Sequence, residues 1–143
     1  MTDTVSPKRR SEIMSNVKGK HTKPEIIVRK FLHAKGFRFR LHSSKLPGKP
    51  DLILKKYKTI IFINGCFWHG HENCRIYVMP KTNVDFWREK IDKNMFRDRI
   101  IINNLKEMGW NVIILWECTL KKTKREETLN NLVEKIMSNS QKN

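Results

Sequence analysis

A chain of 143 residues is long enough for one ordinary domain and too short for two comfortable ones. Its formal net charge of +16 and pI near 10.1 are extreme for an enzyme of small metabolites and favour a polyanionic partner, nucleic acid before a membrane surface. No run approaches the ~20 apolar residues of a spanning helix and no apolar signal core follows Met1, so the chain reads as intracellular, where three cysteines point to metal rather than disulfides.

Residues 1–20 form a basic N-terminal arm, and residues 21–143 the domain proper. Pro7 to Asn16 reads as a short helix with Lys8, Arg9 and Arg10 in its first turn. Cations there oppose the helix dipole, a poor placement for an isolated helix and a reasonable one for an arm that docks on phosphates. A solvated charged tail is the plainer alternative. Thr22-Lys23-Pro24-Glu25 is a capping box with proline in the first turn, opening a helix whose Ile27, Phe31 and Ala34 recur at i, i+4, i+7 and which Gly36 ends. Phe37-Arg38-Phe39-Arg40-Leu41 alternates strictly, the mark of a half-buried strand, and Leu46-Pro47-Gly48-Lys49-Pro50 is a turn.

Asp51 to Leu54 and Thr59 to Ile63 are short strands joined by Lys55-Lys56-Tyr57-Lys58, which predicts a hairpin. Pairing Leu54 with Thr59 puts Asp51 opposite Phe62, beside Ile63. The second strand is apolar almost throughout, as befits a central strand covered on both faces. A long helix is predicted from Val84 to Met108, capped by Asn83, stopped by Gly109 and amphipathic through Ile101, Leu105 and Met108. Trp110 to Trp116 is another buried strand, delivering Cys118 just past its end. A last helix, Arg125 to Ser138, packs Leu129, Leu132 and Ile136. This order predicts a single α/β domain with a central mixed sheet flanked by helices.

The densest chemistry lies in Gly65-Cys66-Phe67-Trp68-His69-Gly70-His71-Glu72-Asn73-Cys74. Cys66, His71 and Cys74, with Cys118 downstream, supply the three thiolates and one imidazole that structural zinc favours. His71 is preferred to His69 as the ligand because its gap to Cys74 is conventional, leaving His69 free as a general base. Three unrelated buried cysteines and a buried structural histidine are the alternatives. Pro50-Asp51 at a strand start resembles the restriction-nuclease pattern, in which the aspartate binds Mg²⁺ and a later Glu-x-Lys completes the site. Here Phe62-Ile63-Asn64 fills that later slot, and a backbone carbonyl, that of Ile63, can substitute because Mg²⁺ accepts any hard oxygen. Glu25 needs nothing beyond its capping role to explain it. Phe67 and Trp68 cannot both easily enter one core and suggest wedges between base steps; Trp87 and Phe86 are candidates for the same surface, with core packing expected for at least one of them.

In order along the chain, Ser11-Glu12-Ile13-Met14-Ser15, Gly19 to Glu25, Leu46 to Asp51, Gly65-Cys66-Phe67-Trp68-His69, Phe86-Trp87-Arg88-Glu89-Lys90-Ile91 and Trp116-Glu117-Cys118 resemble the very-short-patch-repair (Vsr) DNA mismatch endonucleases. The likeness runs from about Ser11 to Leu120. It implies a restriction-endonuclease-like fold with a structural zinc, and a Mg²⁺-dependent enzyme that recognises a T:G mismatch left by deamination of 5-methylcytosine and nicks 5′ of the mismatched thymine. It further implies Mg²⁺ on Asp51 and the Ile63 carbonyl, water activation by His69, and support of the ion's water shell by Glu25. Zinc falls to Cys66, His71, Cys74 and Cys118, while Phe67, Trp68 and Trp87 enter the stack and Met14 presses from the opposite groove. The implied partners are duplex DNA, mismatch-repair proteins and a cognate cytosine-5 methyltransferase system, in the cytoplasm of a prokaryote at its nucleoid. One asymmetric mismatch gives no reason for a two-fold dimer, so a monomer is expected. Asn64 stands where some members carry a second histidine, and the gap from His71 to Cys74 is one residue longer than in some. Alternatives outside this reading are a zinc-stabilised DNA-binding or DNA-bending module without catalysis, and a nuclease that cuts both strands.

Overall fold

Four strands make one sheet in the order β1-β2-β3-β4, with β1 at Arg40–Leu41, β2 at Leu52–Leu54, β3 at Thr59–Asn64 and β4 at Asn111–Trp116. The computed structural model describes residues 22–43, 45–71, 74 and 78–141. The arm over residues 1–20, its helix from Pro7 to Asn16 and Met14 lie outside these. Helix α1 spans Lys23–Ala34, α2 Val84–Glu107 and α3 Arg125–Gln141.

The hairpin forms in the register anticipated from the sequence. Leu54 pairs with Thr59 and Leu52 with Ile61, antiparallel, across a 3₁₀ turn at Lys55–Tyr57 that Lys58 closes in the left-handed conformation. Strand β4 then joins β3 in parallel from Thr59↔Asn111 to Asn64↔Trp116, a pairing that needs a crossover, and α2 supplies it. The sheet is therefore mixed.

Side chains alternate between the two faces of the sheet. Leu52, Leu54, Ile61, Ile113 and Leu115 bury one face against Val28 and Leu32 of α1 and Leu129, Leu132 and Ile136 of α3. Ile53 and Ile60 bury the other against Leu105 of α2, with Phe62, Val112 and Ile101 packed around them. Helices thus cover both faces of β3, as its apolar run required.

Several sequence expectations need correction. The core stripe of α1 runs through Val28 and Leu32, with Ile27 and Phe31 flanking and Ala34 exposed, so the i, i+4, i+7 set was one residue off the buried face. Only Arg40–Leu41 of the alternating stretch pairs as a strand, although Phe37 is buried and Arg38 exposed as alternation implied. Continued pairing would set Arg38 against Lys55, where β2 has already turned away. Asn83 occupies the cap position of α2 in a left-handed conformation without a capping side-chain bond, and Met108 is 51% exposed beyond the helix end.

Candidate active site and metal centre

Strand pairing assembles the first part of the site. Asp51 directly precedes β2, and its Oδ2 accepts the Ile63 N–H at 2.7 Å. In an extended strand the N–H and carbonyl of one residue face the same neighbour, so the Ile63 carbonyl is also turned to the Asp51 side. Burial pushes the Asp51 carboxyl up to about 6, reinforced by the Glu25 charge and opposed by the Ile63 N–H, His42 and His69.

Glu25, only 1% exposed, is tied on three sides. Its Oε2 accepts the Thr22 N–H at 3.2 Å, the return bond of a capping box, while Oε1 meets Arg29 Nη2 at 2.9 Å and the His42 ring at close range. Burial raises its pKa, but the hydrogen bonds from Arg29 and His42 outweigh that and hold it below the usual carboxylate value. His42 was not singled out from the sequence. Its Nε2 stands 3.8 Å from Asp51 Oδ1, and ligand atoms of Glu25, His42 and Asp51 lie within 4.8 Å of one another. A half-buried carboxylate that ionises reluctantly, next to a buried one that is charged, is a donor set suited to a compensating divalent cation.

The second part is the loop after β3. Its turns are held by the His71 N–H on the Cys66 carbonyl at 2.9 Å and the His69 N–H on the Gly65 carbonyl at 3.2 Å. Asn94 of α2 donates to the Trp68 carbonyl at 3.0 Å, and Glu117 accepts the Cys66 N–H at 3.0 Å, so helix and strand ends both clamp the loop. His69 Nδ1 lies 2.6 Å from Asp98 Oδ2, another partner that sequence reading missed. With Nδ1 engaged by a carboxylate, Nε2 is the ring atom left to face a substrate.

Cys66, His71, Cys74 and Cys118 bring one ligand atom each within 4.8 Å of the others, and Cys118 Sγ is 3.4 Å from His71 Nδ1. His71, not His69, belongs to this cluster. Burial pushes the Cys66 thiol up to about 12 and raises Cys118. The set and its spacing fit one tetrahedral zinc, whose charge would stabilise the thiolates.

Phe67, Trp68 and Trp87 form a half-buried ring cluster with centroids 5.3 to 5.8 Å apart. Phe86, 58% exposed, extends it, and Lys90 lies 5.5 Å from the Trp68 ring. Neither Phe86 nor Trp87 enters the core, contrary to the expectation for one of them.

Comparison with known proteins decides which chemistry this is. The family description "DNA mismatch endonuclease Vsr" matches residues 2–75. A type II nicking enzyme of Neisseria meningitidis serogroup A, V.NmeAIP, is 49% identical over 137 residues, 95% of this chain and 97% of its own length. The chain belongs to the Vsr DNA mismatch endonuclease family. Similar to it as well are the type II nicking enzyme V.XorIIP of Xanthomonas oryzae, 46% identical over 120 residues (84% and 88% of the two chains), and the Escherichia coli DNA mismatch endonuclease Vsr, 40% identical over 121 residues (85% and 77%). As a member of this family the chain is an endonuclease, and the non-catalytic alternative falls away. Among the described residues no helix is long and apolar enough to cross a membrane.

Proposed function

We propose that this Vsr-family chain is a Mg²⁺-dependent enzyme that recognises a T:G mismatch arising from 5-methylcytosine deamination and nicks the strand 5′ of the mismatched thymine. The observation that carries the reading is the convergence on Asp51, whose carboxylate is half-buried beside Glu25 and His42, bonded to Ile63 and within electrostatic reach of His69. Asp51 and the Ile63 carbonyl would hold Mg²⁺, with Glu25 in support through the water around it. The cation would supply charge stabilisation at the scissile phosphate.

Asp98 fixes the His69 ring through Nδ1, so that Nε2 can take a proton from the attacking water. The water oxygen then bonds to phosphorus as one P–O ester bond breaks, and the departing sugar oxygen takes up a proton from solvent. Zinc at Cys66, His71, Cys74 and Cys118 would keep the His69 loop in place. Phe67, Trp68 and Trp87 would enter the stack next to the mismatch, and Met14 would press from the opposite groove. Unstacking costs less at a mismatch than at a paired step, so insertion contributes to recognition. The fold is read as restriction-endonuclease-like, the enzyme as a monomer on its duplex. Mismatch-repair proteins and a cytosine-5 methyltransferase are its proposed wider partners.

Duplexes carrying T:G, T:A or C:G at one position, incubated with Mg²⁺, test the proposal. Expected are cleavage of the T strand of the T:G duplex alone, and loss of cleavage with retained binding in Asp51→Ala. Cutting of both strands, or of T:A and C:G equally well, would overturn it.

A further inference from the structure

The two residues of β1 decide what stands beside Asp51. Leu41 pairs with Leu52, so the next residue, His42, comes opposite Asp51, and its N–H donates to the Asp51 carbonyl at 3.4 Å. His42 has a φ of +45°, a left-handed conformation that a non-glycine residue adopts at a cost and that is worth explaining where it occurs. Here the turn brings the imidazole inward to 10% exposure, with Nε2 between Glu25 Oε1 and Asp51 Oδ1. Ligands on a cation at ~2.1 Å lie roughly 3 Å apart when adjacent and about 4.2 Å apart when opposed, so donors spread over 4.8 Å or less need only small adjustments to share one ion.

We propose that His42 supplies a nitrogen ligand to the cation site at Asp51, so that this site binds Mn²⁺ in preference to Mg²⁺. The inference rests on reading Asp51 as the cation anchor and adds to it the kind of ion the site prefers. Without an ion the His42 Nε2 shares a hydrogen bond with Glu25 Oε1, and Glu25 keeps the Thr22 N–H and Arg29 as partners when a cation takes that place on the ring nitrogen. Mg²⁺ favours oxygen donors and gives up water reluctantly, whereas Mn²⁺ shares its affinity for carboxylates and sits above it in accepting imidazole. Mg²⁺ still binds through the oxygens, more weakly.

The test uses the full chain with its zinc complement, without DNA, titrated with Mn²⁺ and followed by electron paramagnetic resonance, with Mg²⁺ as competitor. Expected are Mn²⁺ binding about tenfold tighter than Mg²⁺, and spin-echo modulation from a directly bound ring nitrogen. In His42→Asn, whose side chain tolerates the left-handed backbone, the modulation should vanish and the preference should fall to about threefold or less, with thermal midpoint and zinc content kept. Absence of Mn²⁺ binding by the wild-type chain, or modulation that survives His42→Asn, overturns the assignment. Asp51→Asn separates the two levels. If it abolishes Mn²⁺ binding while modulation survives His42→Asn, only the role of His42 fails; if Mn²⁺ binding is undiminished in Asp51→Asn, the reading of Asp51 itself fails.

Discussion

Asp51 is an acid that folding makes harder to ionise. Its pKa of about 6 in the native chain stands above the ordinary 3.8, so the native state holds this proton more tightly than the unfolded one. The corresponding stabilisation is complete below pH 3.8 and lost as pH rises through 6. Asp51→Asn keeps an acceptor for the Ile63 N–H and removes the charge. Without added divalent cation, it should be more stable than the wild type by up to about 3 kcal/mol near neutrality, an advantage that shrinks towards zero on acidification. Urea denaturation across this pH range measures it, and added Mg²⁺ should narrow the gap by favouring the wild type. For His69, the geometry makes Asp98 the orienting group. Asp98→Asn should slow single-turnover nicking roughly tenfold to a hundredfold with duplex affinity unchanged. His42 and Asp98 were not legible because neither belongs to a short motif. His42 closes an alternating stretch, and Asp98 sits between Arg97 and Arg99 like any solvated helix charge. A signal for Asp98 did exist. It follows Ile91 by seven residues and Met95 by three, on the helix face that packs against Gly70 of the His69 loop.

At the scale of elements, the loop after β3 depends on close approach to α2. Gly70 has a φ of +60°, and a Cβ there would come 2.5 Å from Met95 Sδ and 3.0 Å from Ile91 Cγ2. Gly70→Ala therefore incurs both backbone strain and overlap, and should lower stability by about 1–3 kcal/mol while moving His69 away from its working position. Nicking by this variant should fall further than its unfolded fraction explains, as parallel activity and denaturation curves would reveal. Cys118 ties the loop to the 3₁₀ turn Glu117–Leu120 after β4. Cys118→Ser should lower zinc per chain and the thermal midpoint together, measured by metal analysis and calorimetry. The β2–β3 hairpin was legible because a short connection leaves few registers, and pairing the residues that flank it, Leu54 and Thr59, is the simplest of them. The length of β1 was not, because alternation in one strand says nothing of where its neighbour bends away.

For the molecule as a whole, the net charge of +16 sets how it meets DNA. Phosphate contacts release counterions, so affinity for any duplex should fall by ~10³-fold or more as salt rises from about 50 to 200 mM if six or more phosphates are engaged. Fluorescence anisotropy against salt gives the slope. Mismatched and paired duplexes should show similar slopes and differ in intercept, because ring insertion adds affinity without adding charge. Composition thus revealed the class of partner, and the order of apolar runs revealed the mixed sheet. The chemistry became specific only where strand register and helix face met.

The His71 imidazole lies flat on the Trp116 indole, with centroids 4.1 Å apart and planes 4° from parallel. An indole in van der Waals contact with a ring that can ligate metal is a natural optical gauge. Stripping or restoring the ion should alter the emission of Trp116, and replacing it with phenylalanine should silence that response. Occupancy of the cysteine cluster could then be followed in real time while the enzyme works, with no label attached.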